Sequence, residues 1–181
     1  IKINNVMPLH PIYTYLLGDI FIIKLVDILL SSLTIFFVFK LSLKIFDAYR
    51  PQQSVDHFVR WAKMLNDTLM KQQYYPNVKK KDLFKLDYIA AKSGHTRGST
   101  VDITIVDIRT GKELDMGSSY DFFGVPSHPF YPGITKEQRS NRFLLRNLML
   151  EAGFKPYAKE WWHFTLKNEP FLDSYFNFPI K

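Results

Sequence analysis

Apolar residues are distributed very differently before and after residue 40. From Leu16 to Phe39 the chain is almost wholly apolar, and its charged residues in that stretch are Asp19, Lys24 and Asp27. A membrane-spanning helix needs about 20 apolar residues, and a charge at its centre is costly, so this stretch fits a span poorly. The interpretation that we favour is a buried element of the core. The alternatives are a membrane anchor and a segment that is not native-like.

The pattern after residue 40 is typical of a soluble domain. Leu41–Phe46 alternates between apolar and polar positions, which predicts a half-buried strand. Arg50 and Pro51 follow, and proline suits the first turn of a helix. One face of the predicted helix is apolar at a period of 3.6 residues. Its members are Phe58, Trp61, Ala62, Leu65 and Leu69.

Further elements follow towards the C-terminus. Val101–Val106 predicts a strand, with Asp102 on the face opposite Val101. The segment Thr135–Ala152 predicts a helix, because Thr135 and Gln138 form a capping box and Gly153 supplies a stop. Trp162–Leu166 predicts a final strand. Separated strands, two helices and the absence of a linker or repeat indicate a single α+β domain at 41–181, preceded by an atypical apolar segment at 1–40.

Composition narrows the chemistry that is available. The chain has 181 residues, no cysteine and a net charge of +7. Any structural or catalytic metal must therefore be held by nitrogen and oxygen ligands. The basic run at 79–81 predicts a solvated loop. Because basic residues are not interleaved with aromatic ones along one face, we expect no nucleic-acid partner.

Two short segments carry the candidate chemistry. Ser93–Asp102 contains His95 and Asp102, and Glu160–His163 contains a carboxylate and another imidazole. A catalytic zinc site needs three protein ligands, one open position and a nearby base that does not bind the metal.

Both segments require particular backbone conformations. His95 and Asp102 can reach the same ion if His95 lies on a loop that folds back onto the strand, and Gly94 and Gly98 allow such a loop through positive φ angles. Glu160 and His163 are three residues apart, so a regular strand would direct them to opposite faces. We therefore expect the chain to turn near Trp161.

These motifs resemble those of the zinc D-alanyl-D-alanine peptidases, and most closely the D-alanyl-D-alanine dipeptidase branch, which includes the vancomycin-resistance dipeptidases. The resemblance rests on Ser93-x-His95-x-x-Gly98-x-x-x-Asp102 and Glu160-x-Trp162-His163, supported by the stretches Phe46–Pro51 and Leu114–Gly124. It implies an α+β fold in which a small antiparallel sheet, flanked by helices, carries the zinc site.

The resemblance also implies roles for particular residues. His95, Asp102 and His163 are implied as ligands of one Zn²⁺ per chain, and Glu160 as the general base and acid. Arg50 matches the arginine that stabilises the oxyanion. Asp121 is the candidate partner of the substrate ammonium, and Ser93 is the candidate hydrogen-bond partner of the bound dipeptide. Trp161 and Trp162 are expected to pack the wall of the site.

The function that follows is a zinc metallopeptidase that hydrolyses the D-alanyl-D-alanine dipeptide and is linked to cell-wall peptide metabolism. One alternative is a D,D- or L,D-carboxypeptidase that acts on longer wall peptides. Another is an inactive remnant with a degraded N-terminal segment. We expect a small dipeptide as the partner and a cytoplasmic location. A periplasmic or membrane-associated location, with membrane contact through the apolar N-terminal segment, is the alternative that we do not favour.

Overall fold

The computed structural model describes residues 39–180. The predictions for the apolar segment before residue 39 lie outside this part of the chain, so the boundary at residue 40 stays a prediction. Within residues 39–180, four strands form one antiparallel sheet in the order β1-β2-β4-β3. This mixture of one small sheet and helices confirms the predicted α+β class.

The elements follow one another along the chain, with long connections before and after β2. The strands are β1 (Leu41–Asp47), β2 (Thr100–Asp107), β3 (Phe154–Tyr157) and β4 (Glu160–Leu166). The helices are α1 (Gln52–Lys63), the single turn α2 (Lys71–Tyr74) and α3 (Lys136–Glu151). Short 3₁₀ turns occupy Lys80–Asp82, His95–Arg97 and Val125–Ser127.

Helix α3 begins and ends as its sequence predicts. The Thr135 side chain accepts a hydrogen bond from the Gln138 backbone N–H, and the Gln138 side chain accepts one from the Thr135 backbone N–H. Gly153, with φ of +85°, follows the helix in a conformation that glycine adopts readily. The helix then packs its buried face against the sheet.

Two apolar clusters form the core. The first lies between the sheet and α3 and includes Val101, Ile103, Leu145, Met149 and Phe164. The second lies around α1 and the loops after it, and its buried members are Ala62, Tyr75, Val78, Leu83, Ile89 and Phe123. Because Ile89 and Phe123 also line the cavity that Asp102 and His163 enter from the sheet, that cavity lies between the two clusters.

Helix α1 is shorter than its periodicity predicts. It ends at Lys63, and the predicted face residues Leu65 and Leu69 lie beyond it, 54% and 87% exposed. The reason is local, since Asn66 and Asp67 favour turns and the Asp67 N–H bonds to the Met64 carbonyl. The residues of α1 that are buried are Val55 and Ala62.

The basic run at 79–81 is not simply a solvated loop. Lys80 is buried, its ammonium donates to the Asp67 carbonyl oxygen at 2.6 Å, and it lies 3.9 Å from the centre of the Trp61 ring. The prediction was wrong for this residue because a carbonyl and an aromatic face replace its water. Among the described residues, no helix is both long enough and apolar enough to cross a bilayer.

Candidate metal centre and active site

Asp102 and His163 lie directly opposite each other on neighbouring strands. Strand β2 pairs with β4 in the register Thr100 to Thr165, Val101 to Phe164 and Asp102 to His163. Side chains of a directly opposed pair emerge on the same face of a sheet. The sheet therefore brings a carboxylate and an imidazole together from positions 61 residues apart in sequence.

His95 reaches the same place from the 3₁₀ turn that precedes β2. Gly98 ends this turn with φ of +67°, as expected for a loop that folds back. Gly94 was expected to serve in the same way, but its φ is −61°. Its role is one of space, because a Cβ at this position would overlap the Thr100 hydroxyl.

The three side chains form a compact cluster. The His163 Nδ1 atom lies 3.0 Å from Asp102 Oδ1, and His95 Nε2 lies 3.3 Å from Asp102 Oδ2. One ligand atom from each residue lies within 4.8 Å of the others, and His95 and Asp102 are 1% and 2% exposed. Despite these short distances, the buried atoms His95 Nε2 and Asp102 Oδ1 have no partner in hydrogen-bond geometry. Because such atoms are costly to leave unpaired, their convergence fits a bound cation.

The second nitrogen of His95 determines which form of the ring faces this cluster. His95 Nδ1 lies 2.8 Å from the Ala48 carbonyl oxygen. Since a carbonyl oxygen only accepts, Nδ1 carries the proton and Nε2 presents a lone pair to the cluster. A metal-binding histidine is typically oriented by a carbonyl in this way.

Two carboxylates at the site have pKa values that differ from their ordinary values in opposite directions. Burial opposes ionisation of Asp102, but its close contacts with His163 and His95 outweigh burial and hold its pKa below the usual range. In the metal-free chain, burial raises the pKa of Glu160 to about 7. A carboxylate with a pKa near neutrality is suited to both accepting and returning a proton.

Glu160 stands beside the cluster because strand β4 is irregular. The neighbouring strand β3 pairs Pro156 with Phe164 but Tyr157 with Glu160, so the register shifts between these pairs. This irregularity, which spans Trp161, lets both Glu160 and His163 face the cavity. Their closest side-chain atoms, Glu160 Oε2 and His163 Nδ1, are 3.4 Å apart.

Arg50 lies on the other side of Asp102. Its guanidinium is held by Asp47, with Nε and Nη2 at 2.8 and 2.6 Å from Asp47 Oδ2. The pairing of β1 with β2 shifts between Ile45 and Asp47, which places Asp47 opposite Asp102. As a result, Arg50 Nη2 lies 3.8 Å from Asp102 Oδ2 and the side chain lines the cavity.

Asp121 and Ser93 complete the polar part of the cavity, whose volume is about 270 Å³. Asp121 adopts φ of +59°, and burial followed by repulsion from Asp102 raises its pKa to about 6. Ser93 Oγ accepts a hydrogen bond from the His95 backbone N–H. The opposite wall is apolar and comprises Val55, Phe58, Ile89 and Phe123.

Comparison with known proteins identifies the family of this chain. The model of the D-ala-D-ala dipeptidase family matches residues 23–181. The chain belongs to this family. It is 44% identical over 138 residues to a D-alanyl-D-alanine dipeptidase of Enterococcus faecalis, an alignment covering 76% of this chain and 68% of the relative.

Other relatives carry the same name. A D-alanyl-D-alanine dipeptidase of Streptomyces coelicolor is 44% identical over 138 residues, covering 76% of this chain and 68% of the relative. One of Escherichia coli is 34% identical over 138 residues, covering 76% of this chain and 62% of the relative. Dipeptidases of this family are metal-dependent hydrolases, so the chain is a metallopeptidase. The match begins at residue 23, upstream of the predicted boundary at residue 40.

The catalytic, metal-binding and substrate-binding residues implied by the motifs all line this cavity. The structure places His95, Asp102, His163, Glu160, Arg50, Asp121 and Ser93 along its walls. Trp161 and Trp162 are buried in the core between the sheet and α3 instead. The Trp161 indole N–H donates to Ser118 Oγ at 2.9 Å, which ties β4 to the loop between β2 and α3.

The remaining histidines of the described chain lie outside the cluster. His57 lines a neighbouring cavity of about 260 Å³ whose walls are mostly aromatic. His128 Nε2 lies 3.5 Å from the Tyr88 hydroxyl, and burial lowers the pKa of the His128 ring. Neither ring belongs to the cluster formed by His95, Asp102 and His163.

Three contributors to the dipeptidase site escaped the sequence reasoning. Asp47 holds Arg50, the Ala48 carbonyl orients His95, and the Tyr120 hydroxyl donates to Asp102. Asp47 had a detectable signal, because it lies three residues before Arg50 at the end of a strand. The Ala48 carbonyl had none, since any residue supplies one.

Proposed function

We propose that this chain is a zinc dipeptidase that hydrolyses D-alanyl-D-alanine. The observation that carries the proposal is the buried cluster of two imidazoles and one carboxylate, with Glu160 beside it in a cavity of about 270 Å³. The choice of D-alanyl-D-alanine as the substrate rests on the names of the relatives.

Zinc is the metal that the donor set favours. His95, Asp102 and His163 offer two nitrogens and one oxygen, and the chain has no cysteine. Three such ligands leave a coordination position open, which is typical of catalytic rather than structural zinc. Bound there, one zinc ion per chain supplies Lewis-acid chemistry, which polarises a carbonyl and favours ionisation of water.

Glu160 moves the proton in this mechanism. Its carboxylate takes a proton from the attacking water and later delivers it to the amine that leaves when the peptide bond breaks. Its burial supports this role, because burial brings its pKa to about 7, where both transfers are accessible at neutral pH.

The other polar residues bind and orient the dipeptide. The Arg50 guanidinium, fixed by Asp47, stabilises negative charge that develops on the carbonyl oxygen. Asp121 pairs with the free ammonium, and Ser93 donates a hydrogen bond to the bound dipeptide. We further propose that the activity belongs to cell-wall peptide metabolism, because the relatives act on D-alanyl-D-alanine.

The decisive experiment measures zinc content and hydrolysis of D-alanyl-D-alanine on the purified full chain, with and without a chelator. We expect one zinc per chain, loss of activity with the chelator and recovery on adding zinc. A folded chain that holds zinc but leaves the dipeptide intact would overturn the proposed substrate.

Two further substrates separate the dipeptidase from the carboxypeptidase alternative. N-acetyl-D-alanyl-D-alanine lacks the ammonium that pairs with Asp121, and a pentapeptide ending in D-alanyl-D-alanine extends the chain beyond it. We expect both to be hydrolysed far more slowly than the free dipeptide. Faster cleavage of either one would instead assign the site to a carboxypeptidase.

A further inference from the structure

The two oxygens of Asp102 have different neighbours. Oδ1 lies 3.0 Å from His163 Nδ1. Oδ2 lies 3.3 Å from His95 Nε2 and 3.2 Å from the Tyr120 hydroxyl. A carboxylate that is ionised only accepts hydrogen bonds, so the Tyr120 hydroxyl is the donor. This hydrogen bond restricts rotation of the Asp102 carboxylate about its last side-chain bond.

The Tyr120 ring is fixed from two sides. It stacks on Phe46 with ring centres 4.3 Å apart and planes at 13°. It also meets the edge of the buried Trp162 ring at 5.5 Å and 75°. Both contacts come from the sheet, Phe46 from β1 and Trp162 from β4. The hydroxyl therefore has a defined position relative to Asp102 on β2.

The backbone around Tyr120 is tied to helix α3. The buried Arg142 guanidinium donates to three carbonyl oxygens, those of Met116 at 2.6 Å, Pro126 at 2.8 Å and His128 at 2.7 Å. Met116 precedes Tyr120 in sequence, whereas Pro126 and His128 follow it. Arg142 thus holds both ends of the loop that carries Tyr120, which limits how far this segment can move relative to the sheet.

We propose that Tyr120 is a positioning residue for the metal, acting through Asp102. Its hydroxyl holds the Asp102 carboxylate in the rotation at which both of its oxygens face histidine nitrogens. A ligand that is already oriented loses less rotational freedom when the ion binds, and partners of this kind affect metal affinity by about 10–100-fold. The inference rests on the proposed role of Asp102 as a metal ligand.

The test is Tyr120→Phe, which removes the hydroxyl and keeps the ring that packs on Phe46 and Trp162. Zinc affinity of the purified full chain is measured by competition with a chromophoric chelator, which needs no activity assay. We expect the zinc dissociation constant of Tyr120→Phe to rise about 10–100-fold above that of the unmodified chain.

Tyr49→Phe is the matched control. Tyr49 also stacks on a phenylalanine, with its ring centre 4.1 Å from that of Phe178, and its hydroxyl donates to the Phe178 carbonyl oxygen at 3.1 Å. This variant loses the same chemical group outside the metal cluster. We expect it to bind zinc as the unmodified chain does, and the two metal-free variants to melt at similar temperatures.

The outcomes separate this inference from the proposed function. If the unmodified chain binds zinc and Tyr120→Phe binds it equally tightly, the positioning role is wrong while the zinc site stands. If both variants lose the same affinity, the effect is general to the fold and the positioning role is again wrong. If the unmodified chain binds no zinc, the proposed function fails, and this inference fails with it.

Discussion

Two buried charged regions of this molecule are built in opposite ways. Around Arg142, which is 3% exposed, all three guanidinium nitrogens donate to backbone carbonyls at 2.6–2.8 Å. Around Asp102, which is 2% exposed, Asp102 Oδ1 and His95 Nε2 have no hydrogen-bond partner. Similar burial therefore accompanies a bond from every guanidinium nitrogen in one region and unpaired polar atoms in the other.

The difference distinguishes structural charge from functional charge. Burial lowers the pKa of Arg142 to about 10, so it stays charged at neutral pH and holds a loop. Burial raises the pKa of Glu160 to about 7, so this carboxyl can change its charge near neutrality. Polar atoms left unpaired around a cavity are available to a ligand, whereas paired ones are committed to the fold.

The largest expected effect is on activity and concerns Glu160, beside the cluster of His95, Asp102 and His163. Glu160→Gln keeps the size of the side chain but removes its ability to accept a proton. We expect kcat for the dipeptide to fall by about 10²–10⁴-fold, the usual contribution of a general acid–base group. Zinc content serves as the control and should be unchanged, because the ligand cluster is formed by other residues. Activity close to normal would exclude Glu160 as the base.

The next effect concerns stability in the Arg142 region. Arg142→Met leaves three carbonyl oxygens without their donor, and an unpaired buried polar group costs about 1–3 kcal/mol. We expect the free energy of unfolding to fall by roughly 3 kcal/mol or more, measured by urea denaturation. Arg139→Met is the matched control on α3, since Arg139 bonds to one carbonyl at 3.3 Å. Equal losses in both variants would refute the comparison.

The third effect is a gain in stability, and it concerns Glu160 beside the cluster of His95, Asp102 and His163. The folded pKa of Glu160 lies above its ordinary value, so its ionisation destabilises the metal-free fold above pH 7 and has no effect below about pH 4.5. Each pKa unit corresponds to about 1.4 kcal/mol, so Glu160→Gln should be more stable at pH 8 by roughly 3 kcal/mol.

That gain should shrink as the pH falls from 7 to 4.5, and urea denaturation of the chelated protein across this range measures it. Glu151→Gln, at an exposed position, provides the control and should show no such trend. A Glu160→Gln variant whose stability follows that of the unmodified chain at every pH would contradict the prediction.

The smallest effect lies outside both regions and calibrates them. Thr135→Ala removes the side-chain cap of α3 and should cost about 1 kcal/mol, or about 2–4 °C in melting temperature. Ser140→Ala, exposed on the same helix, should change stability by less than about 0.5 kcal/mol. A cap loss as large as that of Arg142→Met would mean that burial adds nothing to the importance of Arg142.

Local signals in the sequence predicted much of the fold. Alternation predicted β1 and β2, and the capping box with Gly153 predicted the ends of α3. The end of α1 was wrong because apolar periodicity continues to Leu69, whereas the turn at Asn66 and Asp67 stops the helix at Lys63.

The candidate site was predictable where its residues belong to recognisable motifs. His95, Asp102, Glu160 and His163 were named from their spacing and chemical types, and the structure brings them together. The supporting contacts depend on residues far apart in sequence. Arg142 bonds to a carbonyl 26 positions away, and the Ala48 carbonyl orients His95, which lies 47 positions further along the chain. Such contacts exist only once the chain has folded.

The irregular step in β4 has a consequence for redesigning the substrate range. Because it sets Glu160 and His163 side by side within one strand, their spacing is independent of the facing wall. That wall is formed largely by Val55, Phe58 and Ile89, which come from α1 and a loop. Enlarging or reducing these three side chains would change which dipeptides fit while leaving Glu160 and His163 in place.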